Sequence, residues 1–104
     1  MMFAVIFKAT MNPNISAAEY DLYLTTATKM RELAFAEYGC IDFTAVTEGQ
    51  EEIAISYWHD EAAIKKWKSD TEHALAQAHG QHHWYKAYTV EVVEIKRAYQ
   101  FSAS

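Results

Sequence analysis

Hydrophobic residues fall on both alternating faces of the opening segment. From Phe3 to Thr10, Phe3, Val5 and Phe7 lie on one side and Ala4 and Ile6 on the other, the two-residue period of a strand. Apolar side chains on both sides predict that both faces are covered. Met11-Asn12-Pro13-Asn14, with the chain's only proline, reads as a turn. The period then changes. Tyr23, Ala27, Met30, Ala34 and Tyr38 recur at spacings of three and four, one face of a helix. Ser16 and Glu19 form a capping box at its start, with Ile15 placed to staple onto Tyr20. Gly39 stands where a left-handed closing residue belongs. The helix is predicted over 17–38.

Cys40 to Glu48 reads as a second strand, with Ile41, Phe43 and Ala45 on one side, and Gly49 turns the chain into a third, Glu52 to His59. The short connection makes these two a hairpin. In the third strand Ile53, Ile55 and Tyr57 alternate with Ala54, Ser56 and Trp58. The more apolar row, and Tyr57 with it, is assigned to the helix side. Asp60 is the expected N-cap of a second helix in which Ala63, Ile64 and Trp67 point inward. Ser69-Asp70-Thr71 predicts a break, after which Leu75 and Ala78 are the apolar positions and Gly80 weakens any helix beyond it. Ala87 to Arg97 is the fourth strand.

The order βαββαβ over residues 1–104, a single domain, is the split pattern of an α+β, ferredoxin-like fold with a four-stranded antiparallel sheet and helices on one face. Two helices cover one face of such a sheet. The other carries hydrophobic residues too, a patch larger than soluble monomers usually expose. A homodimer packed through that open face is therefore expected.

Composition removes several classes. The net charge is −5 with no basic run, so nucleic acid is not an expected partner. A single cysteine, Cys40, excludes an internal disulfide and a multi-cysteine zinc site. The opening apolar run meets Lys8 too soon to span a membrane and lacks a cleavage region, so a cytoplasmic protein is expected. All three tryptophans and all five histidines lie between Ile53 and Tyr85, which makes that stretch the place to look for a site. His79 and His83 are four apart with Glu72 seven before His79, but Gly80 interrupts the helix that would align them, and no metal site is expected.

That same stretch, from Ser56-Tyr57-Trp58 through Trp67, Glu72-His73 and Ala76-Gln77 to Trp84-Tyr85, resembles the antibiotic biosynthesis monooxygenase family. The resemblance extends over essentially the whole chain and implies a dimeric α+β barrel. Some members resemble cofactor-free oxygenases of aromatic polyketides and quinols; another branch degrades haem. The haem branch has its axial histidine about ten positions after the helix tryptophan, where this chain has Gln77, and the first strand lacks that branch's asparagine. No cofactor is expected, and haem is not.

The resemblance places Trp67 on the wall of a cavity between helices and sheet, where an indole offers a flat face and an N–H donor for a ketone or phenolate oxygen. Tyr57, Tyr23 and Met30 are the other expected substrate-binding residues. Oxygenation without a cofactor needs a substrate anion that can give an electron to O2. His73, His79 and His83 are the candidate proton acceptors, because imidazole titrates near neutrality. Packing and surface roles for each of these residues are the competing reading. Two functions stay open: a cofactor-independent monooxygenase of a small aromatic or quinol-like molecule, and a non-catalytic dimeric module that binds a small hydrophobic molecule.

Overall fold

A computed structural model describes residues 1–77 and 83–103, the side chains of 76 and 77 excepted. The elements run β1 (Phe3–Met11), α1 (Ala17–Tyr38), β2 (Asp42–Glu48), β3 (Glu51–Trp58), α2 (Glu61–Gln77) and β4 (Tyr85–Glu94). The strands form one antiparallel sheet in the order β2-β3-β1-β4. This is the ferredoxin-like α+β arrangement expected from the element order.

Local chemistry sets the ends of α1. The Ser16 hydroxyl accepts the Glu19 amide at 3.1 Å, the first half of a capping box. The Glu19 carboxylate instead accepts the Trp84 indole N–H at 2.9 Å. Gly39 adopts φ 76°, and its amide and that of Cys40 both close onto the Ala34 carbonyl. Cys40 is thus committed to ending the helix, and β2 begins at Asp42 rather than at Cys40.

The expected break at Ser69-Asp70-Thr71 does not occur; α2 runs through it. The Thr71 hydroxyl donates to the Trp67 carbonyl at 2.8 Å, Lys68 pairs with Glu72 one turn on, and the Tyr38 hydroxyl donates to Asp70. Tertiary and i,i+4 contacts outweigh the weak helix propensity of these residues. β4 starts two residues before the expected Ala87 because a register shift between Thr10 and Met11 brings Met11 opposite Tyr85. It ends at Glu94, opposite Phe3 at the start of β1, and the Ile95 amide still donates to the Met2 carbonyl at 2.9 Å.

Strand register decides which side chains face the helices. Phe3, Val5 and Phe7 pair with Trp58, Ser56 and Ala54, and Val5 and Phe7 pair on the other side with Val92 and Val90. That row meets the core, in which Val5, Ala34, Cys40, Trp58 and Ile64 are buried together. Tyr57, Ile55 and Ile53 therefore occupy the opposite face, with Ile6, Val46 and Val93. The assignment of Tyr57 to the helix side is corrected. The row beneath the helices, Glu52, Ala54, Ser56 and Trp58, is partly polar, and buried Trp58 supplies most of its bulk. No helix among the described residues is long and apolar enough to cross a membrane.

Candidate functional site

The two helices stand off the sheet along part of their length and leave a cavity of about 290 Å³, near the lower limit for a small-molecule site. Its floor includes Val5, Phe7, Ala54 and Val90, and Trp67 of α2 forms a wall. Thr28, Arg31, Lys68 and Glu72 stand among its polar lining.

At one end, the Trp67 ring lies 5.4 Å from Trp58 and 6.2 Å from Phe43, centroid to centroid. Its Nε1–H donates to the Met30 carbonyl at 3.0 Å. The indole offers the cavity its face, while the N–H expected to meet a ligand oxygen is already used between the helices. Trp58 is fully buried and donates to the Ser56 hydroxyl at 2.8 Å. The Arg31 guanidinium lies over the Phe43 ring at 5.2 Å and donates to the Phe43 carbonyl at 3.0 Å.

The other end is built from aromatic rings around a carboxylate. Buried Tyr23 stacks edge-on against Trp84 (5.4 Å) and Tyr85 (5.8 Å). Its hydroxyl donates to Oε2 of Glu52 on β3. Burial pushes the Tyr23 hydroxyl far above its ordinary value, and the neighbouring Tyr85 and Glu52 add to this. Burial raises Tyr85 as well. Both phenols thus remain protonated donors across the physiological range.

The structure brings Trp67, Tyr23 and Met30 of the expected site residues to one cavity. Tyr57 lies on the other side of the sheet. His73 and His83 are exposed and do not line the cavity; the backbone carbonyl of His83 accepts from Asn12 at 2.8 Å. His79 lies outside the described residues. Sequence reasoning missed Glu52, whose signal was a charged residue in phase with Ala54, Ser56 and Trp58. Among the described residues no group of histidine, cysteine and carboxylate side chains is placed to hold a metal ion.

No family model matches the chain, but individual proteins do. YqjZ of Bacillus subtilis, an uncharacterized protein, is 33% identical over 96 residues, covering 91% of this chain and 80% of that one. A protein of Pyricularia oryzae named jasmonate monooxygenase ABM is 32% identical over 84 residues, covering 77% of this chain and 37% of its own length. Among solved structures, SnoaB from Streptomyces nogalater, a cofactor-independent oxygenase, superposes with a TM-score of 0.68 at 12% identity, over 93% of this chain and 95% of that one. A structure described as an antibiotic biosynthesis monooxygenase gives 0.69 at 17%, over 91% and 99%. With the βαββαβ order and the sheet order already described, these likenesses show that the chain belongs to one family with YqjZ and has the fold of the antibiotic biosynthesis monooxygenases.

Proposed function

We infer that this protein is a cofactor-independent monooxygenase of a small, flat ring compound of the anthrone or quinol class. The observation that carries this reading is the cavity: largely apolar, walled by an indole face, with a carboxylate and two phenols grouped at one end. The likeness to a cofactor-independent oxygenase and to a protein named as a monooxygenase supports the same class. For a ring methylene the reaction balances as R2CH2 + O2 → R2CO + H2O, so the substrate supplies all four electrons. The protein's task is to bind the ring, remove a proton and exclude water, which preorganised walls can do.

Oxygen uptake with anthrone and with substituted hydroquinones, in buffer containing a chelator, tests the proposal. Uptake above the buffer rate, with one atom of labelled O2 in the ketone product, is the expected result. No uptake above buffer with any member of the panel would remove it.

A second reading, a dimeric module that binds a small hydrophobic molecule without turnover, draws on the use of the Trp67 N–H by Met30. Saturable binding of anthrone by calorimetry without oxygen uptake would favour it. Both readings take the protein as a homodimer. The open sheet face carries Ile6, Val46, Ile53, Ile55 and Val93, with Val46 60% exposed, and self-pairing through a two-fold axis covers it.

A further inference from the structure

The geometry points to Glu52 as the group that takes the proton from a carbon acid bound in the cavity. This rests on the reading of the cavity as a substrate site. Glu52 sits in the helix-facing row of β3, followed by Ala54, Ser56 and Trp58, and it lines the cavity. Its cross-strand neighbours are Ala9 and Thr47, neither charged. A half-buried carboxylate kept for structure is normally paired with a cation. Among the described residues Glu52 has no ion pair; the only one found joins Lys68 and Glu72. Its hydrogen-bond donor is the Tyr23 hydroxyl, on Oε2.

This arrangement suits a base. Tyr23 fixes one carboxylate oxygen, and the Tyr85 ring, edge-on to Tyr23 at 5.8 Å, buttresses Tyr23 in turn. Oε1 is the oxygen assigned to the incoming proton. Among the described residues the charged and titratable groups facing Glu52 are Tyr23 from α1 and Tyr85 from β4, with Tyr88 beside Tyr85. Both Tyr23 and Tyr85 stay protonated, so neither competes as acceptor. Glu72, the other lining carboxylate, is engaged by Lys68. Met30, whose carbonyl holds Trp67, lies seven residues along α1 from Tyr23, about 10 Å of helix. A flat ring system can therefore rest against the indole while its acidic carbon reaches Oε1.

The step is a proton transfer alone. The C–H bond of the methylene opposite the ketone in the central ring breaks, an O–H bond forms on Oε1, and the electron pair spreads through the ring system onto the ketone oxygen, giving the aromatic anthrolate anion. The carboxylic acid then returns its proton to solvent. No oxidant takes part, so the step is measurable without O2.

The test is deuterium exchange at the methylene of anthrone in D2O under nitrogen, followed by NMR, with the protein as isolated. Wild type should exchange the methylene well above the buffer rate. Glu52→Gln keeps an acceptor for Tyr23 and nearly the same shape but a far weaker base, and should lose about 100-fold or more of the protein-catalysed rate, within the range general base catalysis supplies. Glu52→Asp should retain part of it. Tyr23→Phe, which removes a positioning residue, should lower the rate less and move the acid limb of its pH profile, whereas Glu52→Gln should abolish that limb. Calorimetric binding of anthrone to Glu52→Gln at near-wild-type affinity would show that the variant still folds and binds. Equal exchange by wild type and Glu52→Gln, or no exchange above buffer by wild type, would overturn the assignment. Exchange that depends on Glu52 without any oxygen uptake would keep it and remove the monooxygenase reading; oxygen uptake unchanged in Glu52→Gln would do the reverse.

Discussion

Replacing the Trp67 indole probes a contact that joins the two helices and forms the cavity wall. Its N–H donates to the Met30 carbonyl at 3.0 Å. Met30 lies inside α1, so its carbonyl also takes a backbone amide one turn on. Removing the indole donor therefore leaves no orphaned acceptor. The loss is the net value of one hydrogen bond, about 1 kcal/mol, without a desolvation penalty. Trp67→Phe also shortens the ring and weakens its contacts with Trp58 and Phe43, roughly a further 1 kcal/mol for about 40 Å² of lost apolar burial. For a domain of this size each kcal/mol lowers Tm by about 5 °C, so Trp67→Phe should melt about 10 °C lower. A benzothienylalanine at position 67 keeps the bicyclic shape and lacks only the N–H, and should melt about 5 °C lower. Calorimetric melting at one protein concentration measures both. A benzothienyl variant that melts with wild type would refute the reasoning: the N–H would then contribute nothing between the helices and would be free to serve a ligand.

The same geometry sets four further outcomes. Gly39→Ala should cost about 1 kcal/mol, because φ 76° is strained for a residue with Cβ although nothing lies within 4 Å of where that Cβ would stand; urea unfolding measures it. Ile53→Glu places a charge on the open sheet face, and sedimentation should then give 11.9 kDa in place of twice that mass for wild type, whereas a monomeric wild type would mean the face is covered otherwise. Adding haemin should give no saturable one-to-one Soret shift, and a clean titration would contradict the cofactor-free reading. Tyr23 and Tyr85 have folded values raised by burial, so the folded state holds protons that the unfolded chain releases above about pH 10. Stability should be unaffected by these groups below that pH and fall as pH rises beyond it, with a smaller fall in Tyr85→Phe; equal urea midpoints at pH 8 and pH 11 would contradict this.

The elements were legible because their signals are local. Ser16, the spacing from Tyr23 to Tyr38, and Gly39 define α1 within the chain's own neighbourhood, and both its ends lie where those residues place them. The capping preference and the 3.6-residue period act within a few residues, so sequence carries them. The element order was sufficient to specify the ferredoxin-like topology for the same reason. Ser69-Asp70-Thr71 misled because the contacts that keep α2 continuous include one from Tyr38, thirty-two positions away in sequence from Asp70.

Which face of β3 meets the helices was decided by tertiary structure alone. Ile53, Ile55 and Tyr57 are the more hydrophobic row, and hydrophobicity by itself puts them inward. The pairing of Phe3 with Trp58 fixes the opposite phase, and a period of two means that one such choice turns every side chain of the strand over. It carried Tyr57 out of the cavity and Glu52 into it. The histidines drew attention because their pKa suits proton transfer, a property of the residue type. Whether a proton acceptor meets a ligand depends on where the backbone aims it, and only the sheet register and the packing of α1 over it placed the Glu52 carboxylate, rather than His73 or His83, beside the phenols of buried Tyr23 and half-buried Tyr85.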